Sequence, residues 1–231
     1  MFSPVALRVA RKSAPEGALL HVGCGRERLE GWVNIDLQPL PTVDVVLDAG
    51  AELPYRDAGA VYSEHFLEHL RVDRAVQFLL NAHRALAPGH WMRISTPNVD
   101  WMWATHYPAR GADESARRVV DALMLNKGFR AWGHQFLWNA AALERALRAT
   151  GFEEIRLCKY GESTIPHFQG IERHDALPDW EALPHVVIFE ARKGPQNLPA
   201  LAELSELIWE EFLRHLDPYV PRPNFGGLIS F

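Results

Sequence analysis

The spacing of apolar positions changes at intervals along the chain, and the changes mark out strands and helices. Ala18–Val22 is a short apolar run halted at Gly23, which predicts a buried strand. Trp32–Asp36 and Val43–Leu47 predict a second and a third strand, and Ala60–Ser63 a thin fourth. Across Arg71–Leu86, the residues Val72, Ala75, Val76, Leu79, Leu80, Ala82, Ala85 and Leu86 recur at helical spacing until Pro88-Gly89 stops them. His90–Ser95 predicts a fifth strand, and Ala140–Ala149 a helix ending at Gly151, where glycine takes the left-handed stop without a Cβ clash. Glu153–Tyr160 and His185–Ala191 read as later strands, and Leu201–Leu216 as a last helix with a Pro- and Gly-rich tail. Pro4–Lys12 also has helical spacing, ahead of Pro15-Glu16-Gly17. The stretch Pro97–Arg130 breaks the rhythm: it reads as a long, irregular, aromatic insertion over the active-site edge, not a separate domain.

Strands alternating with helices imply an α/β fold, Rossmann-like and doubly wound, with a mostly parallel sheet and helices on both faces. Runs such as Val43-Asp44-Val45-Val46-Leu47 suit strands buried on both sides. The 231 residues fit one domain over 1–231, with a core at about 18–193, the insertion at about 97–130 and a helical tail at about 195–231.

Composition narrows the class. The chain is 48% hydrophobic and 23% charged, as globular proteins are. No stretch approaches the ~18 apolar residues that span a membrane. Arg8, Arg11 and Lys12 follow the first apolar residues instead of preceding them, the reverse of a secretory signal. With only Cys24 and Cys158, a disulfide scaffold is not expected and a cytoplasmic location is. A net charge of −5 without a basic block argues against nucleic acid as partner.

Three features then locate a chemistry. The strand through His21-Val22 ends in the turn Gly23-Cys24-Gly25, and in an open parallel sheet ligands bind beyond the carboxyl ends of strands. Glycine there lets a ligand approach the backbone closely. Asp36 ends the next strand, where a carboxylate can accept hydrogen bonds from two ribose hydroxyls; its bland reading is a turn cap. Asp48-Ala49 ends the third, placed to meet an adenine's amine and face, with a turn Asp as the alternative. Each sits at a strand's carboxyl end, in sequential order.

With these residues, and with Gly31–Asp36, Leu53-Pro54-Tyr55, Ser63–Leu70, His83–Gly89, Arg93–Asn98, Gly133–Phe136, Ala149–Phe152 and Gly161–Ser163, the chain resembles the class I S-adenosylmethionine (SAM)-dependent methyltransferases, in a group of small bacterial enzymes. The resemblance covers roughly Ala18–Lys193. It implies a seven-stranded sheet in the order 3-2-1-4-5-7-6 with the last strand antiparallel, and SAM as cofactor. It implies that Gly23 and Gly25 meet the methionine part, Asp36 the ribose, Asp48 and Ala49 the adenine, and Ser63, Glu64 and His65 the neighbourhood of the methyl sulfonium, with His21, Cys24 and Leu37 also among the cofactor-binding residues. Two departures stand out. His21 occupies a place that is acidic in many relatives, and Arg26–Gly31 is too short for the usual crossover helix, which must shrink to about a turn. A nicotinamide dinucleotide, whose pyrophosphate sits on such a helix N-terminus, is thereby disfavoured.

Catalytic candidates are His65, His69 and His134. On a helix His65 and His69 share a face, as do Glu64 and Glu68, so a histidine can act as general base with a carboxylate fixing its tautomer. The same histidines with His134 and a carboxylate make a divalent-ion set, but structural and cofactor roles compete for them and no metal is assigned. Trp101, Trp103, Tyr107, Trp132, Phe136 and Trp138 either wall an acceptor pocket or form a small lid core. Glu162 is read as a polar contact, and Glu172, Arg173 and His174 as a solvated loop. The tail helix either covers the sheet or makes a homodimer contact, and Asn224–Gly227 reads as a flexible end. The expected function is methyl transfer to oxygen or nitrogen of a small-molecule or glycan-type acceptor, without nucleic-acid or membrane partners. The competing reading is a catalytically silent domain that binds a partner in a biosynthetic complex.

Overall fold

The computed structural model describes residues 16–107, 114–174, 177–217 and 219–228. The segment Pro4–Lys12 lies outside them. Seven strands form one sheet: β1 (Leu19–Val22), β2 (Val33–Asp36), β3 (Val45–Val46), β4 (Ala58–Glu64), β5 (Leu86–Pro97), β6 (Phe152–Leu157) and β7 (Val186–Lys193), in the order β3-β2-β1-β4-β5-β7-β6. The ladders β3-β2-β1-β4-β5 are parallel, while β7 runs antiparallel to both β5 and β6. This is the expected order and the expected single reversal.

Helix α1 (Val72–Ala85) joins β4 to β5, and α4 (Ala140–Ala149) precedes β6. The predicted stop Pro88-Gly89 is absorbed into β5: the ladder pairs Ala58 with Leu86 and next Ala60 with Trp91, so the residues between bulge out, with Gly89 at φ +74°. Asn139 caps α4 by accepting from Ala142 N at 2.9 Å. The apolar faces of α1 and α4 pack with Leu20, Val22, Ile35, Val61, Met92 and Val187 into the main core.

The opposite face of the sheet is built differently. No helix lies between β1 and β2; the ten residues Gly23–Trp32 close as turns, with Glu27 N donating to Cys24 O and Trp32 N to Leu29 O. Ala60 and Tyr62 of β4, which alternate with Val61, pack there against Leu29, Trp32, Phe168 and Ile171. Phe168 and Ile171 belong to the segment after β6, and Phe168 is fully buried. A remote loop therefore occupies the place of the missing crossover helix.

Two other expectations are revised. The insertion is helical, not irregular: α2 (Val99–His106), capped by the Asn98 side chain, and α3 (Ser115–Arg130) account for most of it. The tail is no loose end. Helix α5 (Leu198–Ile208) continues through a π turn, Trp209–Leu213, into Arg214–Leu216, and buries Leu201, Leu204, Ile208 and Leu213 in the main core. Phe225 joins that core, and Ser205 Oγ donates to Pro223 O at 2.7 Å. The apolar stripe of the tail thus covers its own chain. Among the described residues no helix is long and apolar enough to cross a membrane.

Candidate functional site

The glycine turn after β1 is held by the neighbouring strand. Gly23 N and Cys24 N both donate to Ile35 O at 2.9 and 3.1 Å, and Gly25 N donates to Asp36 Oδ2 at 2.9 Å. Thr42 Oγ1 donates to Gly25 O at 2.6 Å. The two glycines serve different ends. A Cβ on Gly23 would lie 2.5 Å from Phe66 ring carbons, so Gly23 makes room for a protein side chain. A Cβ on Gly25 would meet nothing within 4 Å, so its φ of +51° leaves open space above the turn. Burial and the nearby Asp36 push the Cys24 thiol up to about 12, so it stays protonated and is no nucleophile.

Asp36 takes part of the turn-capping role: Oδ1 accepts from Gln38 N at 2.8 Å and Oδ2 from Gly25 N. Each oxygen keeps lone-pair capacity for a further donor, and the residue is half-buried. Leu37 beside it is 63% exposed. Asp48 caps its own turn through Ala51 N and pairs with Arg74 Nη2 at 2.6 Å, while Ala49 is buried in the main core with its carbonyl accepting from Asn81 Nδ2. His21 is buried between Asn34 and Tyr62 in the ladder; its Nδ1 lies 3.0 Å from Asn34 Oδ1, which also accepts from Leu29 N. Burial holds the His21 imidazole below its ordinary value, in a neutral, structural role.

At the carboxyl end of β4 the polar residues diverge. Ser63 is fully buried, and Glu64 accepts from Arg173 N at 3.0 Å and from His174 N at 3.3 Å. Burial opposes the Glu64 charge, but His174 and the Arg173 amide outweigh it and hold the carboxyl below its usual range. His65 has φ +47° and stacks on His174 with ring centroids 4.2 Å apart. The helix expected to carry the Glu-His pairs is a single 3-10 turn, Leu67–His69, so His65 and His69 do not share a helical face. The structure instead brings His69 to His134, with ring centroids 5.2 Å apart.

The histidines, but not Ser63 or Glu64, line a cavity of about 600 Å³ beyond the ends of β4 and β5, roofed by α2 and α3. His65, Glu68, His69 and His134 lie on one side; Trp101, Met102, Met124, Lys127 and Trp132 come from the insertion, and His174 and His185 from the segment before β7. The aromatic set therefore divides. Trp101 and Trp132 line the cavity, Trp132 from its exposed rim, Trp138 and Phe136 pack in or against the main core, and Trp103 and Tyr107 are exposed away from it.

The segment read as a solvated loop is anchored instead. Fully buried Arg93 pairs with Glu172 at 2.6 Å and with Glu190 at 2.7 Å, and its remaining N–H groups donate to the carbonyls of Glu162 and Lys159. A charged residue inside Trp91-Met92-Arg93-Ile94 was the available signal, because a buried guanidinium demands partners.

A methyltransferase-domain family model matches residues 3–157, about two thirds of the chain. The chain belongs to the methyltransferase-domain family. No curated protein matches it. Among solved structures, this chain is similar to a SAM-dependent methyltransferase from Archaeoglobus fulgidus, at 16% identity and TM-score 0.48 over 78% of this chain and 88% of the other. It is similar to one from Mesorhizobium loti, at 19% identity and TM-score 0.45 over 77% and 92%. A protein from Bordetella parapertussis aligns at 16% identity and TM-score 0.47 over 79% of this chain, which spans 64% of that protein's length.

Proposed function

We propose that the chain is one methyltransferase domain that moves the SAM methyl group to an oxygen or nitrogen of a small, glycan-type or similarly polar acceptor held in the cavity roofed by α2 and α3. The observation that carries this reading is the largely apolar, histidine-studded cavity of about 600 Å³ at the carboxyl ends of β4 and β5. The residues fit the cofactor. Gly25 opens on space that a Cβ would fill, and Asp36 retains acceptor capacity toward a diol. Gly23, Cys24 and Gly25 would contribute backbone to its amino-acid part, Asp36 and Leu37 would meet the ribose, and Asp48 the adenine edge. When bound, SAM supplies an already activated methyl group.

The protein's own work is alignment and exclusion of water. Trp101 lies in the cavity wall, and a histidine among His65, His69 and His134 can take the proton from an acceptor hydroxyl or amine. Two free cysteines, one of them buried, support a reducing cytoplasm as the compartment. Calorimetry with SAM tests the reading: binding is expected, and Asp36→Ala should weaken it at least about tenfold, the loss of one good charge-assisted hydrogen bond. Absence of binding at high micromolar SAM would refute the enzyme and favour a silent domain.

A further inference from the structure

Six of the eleven histidines face the cavity, and two of them converge with a carboxylate. Ligand atoms of Glu68, His69 and His134 all lie within 4.8 Å of one another. We infer that these three residues bind one divalent transition-metal ion in the wall of the acceptor cavity, leaving coordination positions open toward an oxygen-bearing acceptor. The inference rests on the reading of this cavity as the acceptor site.

Ligands about 2.1 Å from a shared ion lie roughly 3–4 Å apart, so a small rotamer adjustment closes the set. The backbone already fixes the three residues together. Gln135 N donates to Glu68 O at 2.7 Å, and Gln135 Nε2 donates to His69 O at 2.7 Å, which ties the turn bearing His134 to the turn bearing the other two.

The surrounding hydrogen bonds prepare each group for a cation. His134 Nδ1 lies 2.8 Å from Gly128 O. A carbonyl can only accept, so the proton sits on Nδ1 and Nε2 keeps its lone pair, the tautomer that a ligating imidazole needs. Glu68 Oε2 accepts from Thr96 Oγ1 at 3.0 Å. The other oxygen, Oε1, is fully buried, and its contact is His65 Nδ1 at 3.2 Å. Neither ring nitrogen of His69 makes a hydrogen bond among the described residues. A carboxylate sealed from water keeps its charge only with cationic or hydrogen-bonding partners, and a bound cation beside the two histidines adds such a partner. Two imidazoles and one carboxylate suit Zn²⁺, Mn²⁺, Fe²⁺ or Co²⁺ over Mg²⁺ or Ca²⁺, which take oxygen sets. Three protein ligands with positions left open are the arrangement of a reactive site, not a closed structural one. An acceptor hydroxyl on such an ion loses its proton more readily, which favours oxygen over nitrogen as the methylated atom.

The test uses the full chain, stripped with chelator and titrated with Co²⁺. One equivalent is expected to bind with visible d–d absorption. His69→Ala and His134→Ala should each weaken binding at least about tenfold, while His106→Ala, which removes a cavity histidine outside the set, should leave it unchanged. SAM calorimetry is run on the same samples. Intact SAM binding without stoichiometric Co²⁺ binding, or Co²⁺ binding indifferent to His69 and His134, overturns the ion site alone. Failure of SAM binding with the Co²⁺ pattern intact overturns the proposed function and leaves the site standing.

Discussion

Gly23 and Gly25 look alike in the sequence, yet they answer to different neighbours. At Gly23 an alanine meets both a left-handed φ of +72° and the Phe66 ring at 2.5 Å. Backbone strain of about 1–2 kcal/mol and overpacking of about 1–3 kcal/mol should add to a loss of roughly 2–5 kcal/mol. Gly25→Ala meets only the first of these, about 1–2 kcal/mol, and its Cβ enters the space assigned to the cofactor. Urea midpoints should therefore drop further for Gly23→Ala, while SAM affinity drops further for Gly25→Ala among the molecules that remain folded. Equal stability losses would show that Phe66 simply moves aside. Asp36 divides its labour in the same way, since its oxygens brace the turn before any ligand arrives.

At the scale of elements, the sheet was legible because parallel strands buried on both sides leave unmistakable apolar runs. Strand order came with the resemblance, and the shortened first crossover followed from the six residues Arg26–Gly31. What covers the exposed sheet face could not be read, because Phe168 and Ile171 come from over 130 residues downstream in a segment without periodicity. For the same reason the Glu172 and Glu190 partners of Arg93 were hidden, whereas the grouping of His69 with His134 and a carboxylate was among the sequence expectations. The helical reading of Glu64–His69 failed because His65 sits at positive φ and breaks the turn. Phe168→Ala should cost about 3–5 kcal/mol, a core-sized loss for a loop residue. A change under about 1 kcal/mol in chemical denaturation would show that the loop only rests on the sheet.

Taken whole, the molecule carries buried neutral histidines whose effect on stability has a definite sign. Burial lowers the pKa of His83, whose Nε2 lies 2.8 Å from Gly194 O, and likewise that of His21. The unfolded chain takes up a proton near the ordinary imidazole value of about 6.5 and the folded chain does not. This stability is present above that value and is lost as pH falls toward the folded pKa, at up to about 1.4 kcal/mol per pH unit for each histidine. His174 works in the opposite direction: its hydrogen bond to Glu64 raises its pKa, so its contribution is present at low pH and fades as pH rises. His83→Gln removes one term only. Its unfolding free energy should fall less steeply than wild type between pH 7 and 5; parallel slopes would assign the acid sensitivity elsewhere.

The crossover without a helix also bears on the order in which the chain is made and folded. A local helix would cover the β1–β4 face as soon as β2 was synthesised. Here Ala60 and Tyr62 wait for Phe168 and Ile171, a closure across more than a hundred residues that adds loop entropy and slows folding. That face of the sheet is thus completed late, and a nascent chain paused before residue 168 leaves Ala60 and Tyr62 uncovered.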